Sequence, residues 1–254
     1  MEKFICENVF IPLRLMPSHK SEMVSQILFG ERYTIIDQAV NWMKIELEFD
    51  GYKGWVDKDH VQFLPHNEKR HNYTINRALT CIRPDNTKLV IEPGSEVYDP
   101  DFSAGIFYVG NDIYKADKEF SEYYISVDES LSDTAVRFIN SPYLWGGRIP
   151  TGIDCSGFTQ IIYKIHGIAL PRNSFQQAEK GDTIESITDT KPGDLVFFDN
   201  DRGQITHVGM ILEEGVVIHA SGRVRTDIID YKGIFRKNEG RYTHNLKLIK
   251  RILV

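Results

Sequence analysis

The chain has 254 residues, a formal net charge of −6, 41% hydrophobic residues and 11% aromatic residues. That apolar content supplies packed cores and excludes wholesale disorder, and the length accommodates one large domain or two to three small ones. No cluster of Lys and Arg stands out, which argues against a nucleic-acid partner, and no stretch approaches the roughly 18 uninterrupted apolar residues of a membrane-spanning helix.

The first residues, MEKFICENVFIPLRL, lack the basic and apolar segments of a secretory signal, so the expectation is a cytoplasmic protein with no membrane partner. Residues 1–65 read as short strands. In NWMKIELEFDGYKGWV, Met43, Ile45, Leu47 and Phe49 alternate with Lys44, Glu46 and Glu48. That period of two marks a half-buried strand. Asp50-Gly51 signals a hairpin turn, and Gly54-Trp55-Val56 starts the return strand. FGERYTII supplies another strand. The order of these segments resembles bacterial Src-homology-three barrels, so a small antiparallel barrel is expected.

Pro65 to Asn72 is polar and reads as a linker. In residues 66–129 strands recur as YTINRALTCI, KLVIEPGSEVY, GIFYVGNDIYKA and EYYISV, punctuated by Pro-Gly and Gly-Asn. A second small barrel fits this pattern.

The texture changes in residues 130–254. SLSDTAVRFIN reads as a helix with Leu131, Ala135, Phe138 and Ile139 on one face. Phe158, Ile161, Ile162 and Ile165 then recur at helical spacing, with Asp154 as the cap and Gly167 as the stop. A short helix is expected around SFQQAEKG. Strands follow as LVFFD, ITHVGMIL, VVIHA and NLKLIKRILV. Helices first and an antiparallel sheet after make an α+β plan.

Cys155 opens the helix. The positive end of a helix dipole favours a thiolate over a thiol, and a thiolate needs a base or an ion-pair partner to act as a nucleophile. His207 and His219 are the candidates. A three-residue loop, Glu213-Glu214-Gly215, sets His207 opposite Ser221, two residues from His219, so both imidazoles share one face of the hairpin. A loop one residue shorter would separate them. Cysteine, base and orienting residue then form a nucleophilic triad. His207 takes the thiol proton and His219 holds the His207 ring. One Cys and two His could instead hold zinc, and Cys155 read alone could be a core thiol. The other histidines, His244 among them, read as surface or core residues. Cys6, Cys81 and Cys155 form no CxxC and are odd in number, so no disulfide framework is expected.

The blocks YLWGGRIPTGIDCSGF, LPRNSFQQAEKG, KPGDLVFF, THVGMIL and VVIHASGRVR, in this order, resemble NlpC-type cell-wall cysteine peptidases, a papain-like group. The resemblance covers residues 131–254 and implies hydrolysis of the γ-D-glutamyl–diamino acid bond of murein stem peptides, in wall recycling, with no metal or organic cofactor. It implies that Tyr143 stands beside the thiolate and stabilises the oxyanion with the Cys155 N–H. Asp154, Ser156 and Ser174 match positions on the substrate side. The resemblance to the multi-barrel branch implies further that the first barrel admits only peptides with a free N-terminal L-Ala. Glu22 in KSEMVSQ and Tyr52 in DGYKGW are the candidates for that contact. Two rivals stay open: a wall-binding protein with a silent C-terminal domain, and an amidase or acyltransferase on the same fold.

Overall fold

A computed structural model describes residues 2–64, 71–117 and 129–252. The chain divides into two compact units, Met1–Val127 and Asp128–Val254. The expected strand EYYISV and the segment 65–70 of the expected linker lie outside the described residues.

The first unit holds two antiparallel sheets. One contains β1 (Phe4–Ile5), β2 (Phe10–Arg14), β3 (Met23–Leu28), β4 (Arg32–Ala39), β5 (Trp42–Leu47), β6 (Lys53–Asp57) and β7 (Gln62–Phe63). Their order is β3-β2-β6-β5-β4-β1-β7. The hairpin expected at Asp50-Gly51 joins β5 to β6: Gly51 takes φ +69, and the Tyr52 N–H donates to the Asp50 carboxylate at 2.9 Å. Ile45 and Leu47 of β5 are buried in its core with Ile11, Leu13 and Tyr33.

The other sheet contains β8 (Asn72–Thr74), β9 (Leu79–Ile82), β10 (Lys88–Ile91), β11 (Glu96–Asp101), β12 (Ile106–Val109) and β13 (Asp112–Ala116), in the order β10-β9-β13-β12-β11-β8. The two sheets are not packed independently. Ile5, Phe29 and Leu64 leave the first sequence segment to join Leu79, Val97, Phe107 and Tyr114 in one core. A Cβ on Gly30 would lie 1.9 Å from the Glu96 carbonyl oxygen, so only glycine fits where the sheets meet. The Tyr98 hydroxyl donates to the Gly30 carbonyl across the same junction, at 2.7 Å. The boundary expected near residue 65 therefore falls inside a compact unit.

The second unit starts with α1 (Leu131–Val136), closed by a Ser130–Asp133 capping box. A two-stranded ribbon of β14 (Arg148–Ile149) and β15 (Gly152–Ile153) leads into α2 (Cys155–Ile165), and α3 (Ser174–Gln177) follows. The remaining strands are β16 (Asp182–Ile184), β17 (Leu195–Asp199), β18 (Ile205–Glu213), β19 (Val216–Ser221), β20 (Arg223–Asp230), β21 (Gly233–Arg236) and β22 (Arg241–Arg251). Their order is β16-β22-β17-β18-β19-β20-β21, and β22 also pairs with β21.

That last pairing closes the antiparallel sheet expected of the α+β plan into a barrel. The C-terminal half of β22 pairs with β17 and β16, while its first residues pair with β21. A register shift inside β22 lets one long strand serve both neighbours. Val196, Phe198, Ile211, Val217, Ile229 and Ile249 fill the core. The described residues are thus mostly β, with three short α-helices.

Candidate active site

Cys155 is the first residue of α2, and every residue of that helix is buried. Asp154 caps it, with its side chain accepting from the Gly157 N–H at 2.7 Å. The same carboxylate accepts from the Gly146 N–H at 2.8 Å and from both terminal nitrogens of Arg172, at 3.0 and 2.5 Å. Arg172 and Asp154 are both almost fully buried. A buried bidentate pair of this kind fixes geometry strongly, so Arg172 anchors the turn ahead of Cys155. The neighbouring glycines allow close backbone packing. A Cβ on Gly147 would lie 2.2 Å from the Gly152 carbonyl oxygen, and one on Gly157 would lie 2.3 Å from that of Gly147.

The hairpin of β18 and β19 supplies the imidazoles. Gly209 pairs with His219, Met210 with Ile218 and Ile211 with Val217. Continued by two residues, this register sets His207 opposite Ser221, as the sequence predicts. The turn differs. Glu213 pairs directly with Val216, so the loop is the two residues Glu214-Gly215, and a bulge between Ile211 and Glu213 restores the register. Without that bulge the histidines would lie on opposite faces.

The two rings meet. His207 Nε2 lies 2.8 Å from His219 Nδ1, and His219 Nε2 lies 3.1 Å from Asp227 Oδ2. Asp227, on β20, also accepts from Arg225 at 2.8 Å. Burial would raise the Asp227 pKa, but the hydrogen bonds from His219 and Arg225 hold it below the usual carboxylate range. An ionised carboxylate only accepts. His219 therefore carries its proton on Nε2, and its bare Nδ1 accepts from His207 Nε2–H. His207 Nδ1 is left without a proton, free to receive one.

Burial and the neighbouring His219 and His244 push the His207 pKa well below its ordinary value. Burial likewise lowers His219, against the pull of Asp227. Burial, followed by the Asp154 charge, pushes the Cys155 thiol up to about 12, against the N–H groups of Val208 and Ser156 that face the sulfur. The thiolate expected from the helix dipole alone is thus opposed by desolvation. Burial favours the neutral forms of both Cys155 and His207. Cys155 itself is 6% exposed.

Three residues escaped the sequence reading. Asp227 and Arg172 are described above. His244, on β22, stacks on the His207 ring with centroids 4.3 Å apart, while Phe198 stands 5.7 Å from the same ring. Its pKa is lowered to about 4, chiefly by burial. Nothing local distinguishes Asp227 and His244 from surface residues of a strand, and Arg172 lies unremarked inside the LPRNSFQQAEKG block.

Tyr143 is half-buried, and its phenol pKa is raised by burial and then by Cys155 and Asp154. It keeps its proton and can donate it to a developing oxyanion. The Ser156 hydroxyl accepts from Arg172 at 2.9 Å. Ser174 is the first residue of α3 and is buried. Glu22 and Tyr52 belong to the first unit: Glu22 is exposed just before β3, and Tyr52 packs on the core of the first sheet. Among the described residues, no group of three or more His, Cys, Asp or Glu side chains is arranged to hold a metal ion.

Residues 140–241 match the NlpC/P60 family, and residues 13–61 match the bacterial dipeptidyl-peptidase SH3 domain. The chain is 27% identical over 217 residues to a γ-D-glutamyl-L-lysine dipeptidyl-peptidase of Bacillus subtilis (strain 168), covering 77% of this chain and 71% of the relative. It is 45% identical over 91 residues to a probable endopeptidase p60 of Listeria innocua, covering 36% of this chain and 19% of that protein. The crystal structure of an NlpC/P60 family protein from Bacillus cereus ATCC 10987 superposes with a TM-score of 0.80 at 19% identity, covering 99% of this chain and 100% of that one, which shows a shared fold. With a cysteine at a capped helix start and a buried His–His–Asp chain on the adjoining hairpin, residues 140–241 form an NlpC/P60 cysteine-peptidase domain, and residues 13–61 of the N-terminal unit a bacterial SH3 domain.

Proposed function

We propose that the protein hydrolyses the γ-D-glutamyl–diamino acid bond of murein-derived peptides such as L-Ala-γ-D-Glu-diaminopimelate. The observation that carries this reading is the hydrogen-bonded chain His207–His219–Asp227 behind a helix-capped cysteine. Relatives matched along most of this chain are named γ-D-glutamyl-L-lysine dipeptidyl-peptidases, which supports the bond type.

In this reading Cys155 Sγ attacks the glutamyl carbonyl carbon while its proton passes to His207 Nδ1. The oxyanion is met by the Tyr143 hydroxyl and the Cys155 N–H. The C–N bond breaks as His207 returns the proton to the leaving amine. Water, losing a proton to His207, then attacks the thioester carbonyl; the C–S bond breaks, and His207 returns that proton to Cys155 Sγ. Ser156, Ser174 and Asp154 line the substrate side, although most of the Asp154 lone pairs are already taken by Arg172, Gly146 and Gly157. Glu22 and Tyr52 are the proposed determinants of a free N-terminal L-Ala. The two N-terminal sheets are read as small barrels, and a cytoplasmic role in wall recycling completes the proposal.

The test is incubation with L-Ala-γ-D-Glu-meso-diaminopimelate and with its N-acetylated form, followed by mass spectrometry. Release of L-Ala-γ-D-Glu from the free peptide alone is expected. No cleavage of either peptide overturns the bond assignment, and equal cleavage of both removes the amino-terminal requirement. Cell fractionation reads the location.

A further inference from the structure

The first unit contains a cleft of about 410 Å³, remote in sequence from Cys155 and lined by groups of both charges. Glu7, just after β1, and His60 and Gln62, near β7, come from the first sheet. Arg83, just after β9, and Asp112 and Tyr114 of β13 come from the other. The volume lies at the low end of small-ligand sites, roughly 300–1,000 Å³.

Two features mark the cleft as a binding site rather than a surface hollow. Tyr114 is 2% exposed, its ring packed against Phe29 and Phe107. Its hydroxyl lines the cleft yet has no hydrogen-bond partner among the described residues. The ring is buried while the hydroxyl is open to the cleft, where a ligand can meet it. Glu7, Arg83 and Asp112 all act electrostatically on that hydroxyl. None of the three side chains forms an ion pair or a side-chain hydrogen bond among the described residues, although both signs are present. Burial, and then the charge of Asp112, raises the Glu7 pKa against the pull of Arg83, and Asp59 and Asp85 add further negative charge to the lining.

A metal ion does not fit: no metal-holding group exists among the described residues, and Arg83 points a positive charge at the space. A ligand carrying both charges does. We infer that this cleft binds a small zwitterion, a free amino acid or a dipeptide, whose ammonium group sits between Glu7 and Asp112, whose carboxylate meets Arg83, and whose polar edge satisfies the Tyr114 hydroxyl. The inference stands apart from the peptidase reading, since none of its residues serves the Cys155 site.

The experiment uses the ¹⁵N-labelled full chain carrying Cys155→Ala, so that the probe is not consumed. L-Ala-L-Ala is titrated and amide shifts are followed. Saturable shifts at Glu7, Arg83 and Asp112–Tyr114 are expected, with weaker binding of N-acetyl-L-Ala-L-Ala and of the dipeptide amide, each lacking one charge. Arg83→Gln should weaken binding about tenfold, as loss of one charge-assisted contact predicts. Tyr114→Phe keeps the packed ring and should weaken it a few fold. Shifts confined to the surroundings of residue 155, equal binding of all three probes, or unchanged affinity in Arg83→Gln would overturn the inference.

Discussion

Asp227→Asn tests the logic of the site most directly. Asp227 presents Oδ2 to His219 at 3.1 Å and Oδ1 to Arg225 at 2.8 Å, with Arg225 Nε also 2.8 Å from Oδ2. Arg225 supplies only donors, so both oxygens are called on to accept. Asparagine has one acceptor. If its amide NH₂ turns towards His219, His219 must move its proton to Nδ1, and His207 must then carry its proton on Nδ1, where the thiol proton was to go. Losing one charge-assisted hydrogen bond is worth about 1.5–3 kcal/mol. At 1.4 kcal/mol per decade this lowers kcat by about ten- to a hundredfold. An upper bound of about 10⁴-fold applies if the wrong tautomer takes over, by analogy with serine peptidase triads. Asp227→Ala leaves the tautomer unset rather than inverted, so it should retain more kcat than Asp227→Asn. The assay is kcat and KM on L-Ala-γ-D-Glu-meso-diaminopimelate, with imidazole ¹⁵N spectra reporting which nitrogen of His207 is protonated. KM should change little, because Asp227 acts through His219 and not on substrate. A variant with wild-type kcat and the Nε2–H tautomer still on His207 would refute the reasoning.

His207→Ala should cost more turnover than His219→Ala, and Cys155→Ala should remove nearly all of it while the far-ultraviolet spectrum stays native; a larger loss in His219→Ala would reverse the two roles. Arg172→Met strands the buried Asp154 carboxylate, and breaking such a pair costs about 3–5 kcal/mol, read as a fall in urea midpoint; an unchanged midpoint would show that Asp154 does not depend on it. The histidine cluster should also give an acid-sensitive fold. His207, His219 and His244 are held below their ordinary pKa of 6.5 by burial, His244 to about 4, so below about pH 6.5 the unfolded chain binds more protons than the folded one. Stability is therefore complete above that pH and lost as pH falls towards 4. A melting temperature flat across that window, or unaltered in slope by His244→Gln, would contradict it.

Much of the site is written in local sequence. The cap at Asp154, the helix after Cys155 and the shared face of His207 and His219 follow from short-range rules: a capping residue, a 3.6-residue period and a period of two across a turn. Even there the turn was read one residue too long, and a bulge that no local pattern announces kept the imidazoles together. Asp227, His244 and Arg172 could not be read, because each reaches its partner through pairing or packing distant in the chain. Asp227 arrives with β20, His244 with the closing strand β22, and Arg172 folds back onto the start of α2. The shared core of the two N-terminal sheets has the same origin, since Ile5, Phe29 and Leu64 look like residues of one sheet until the second is packed on them. The protonation state of Cys155 lies deepest in the tertiary structure. The sequence supplies the helix dipole, which favours a thiolate, but only the packed fold supplies the burial that opposes it.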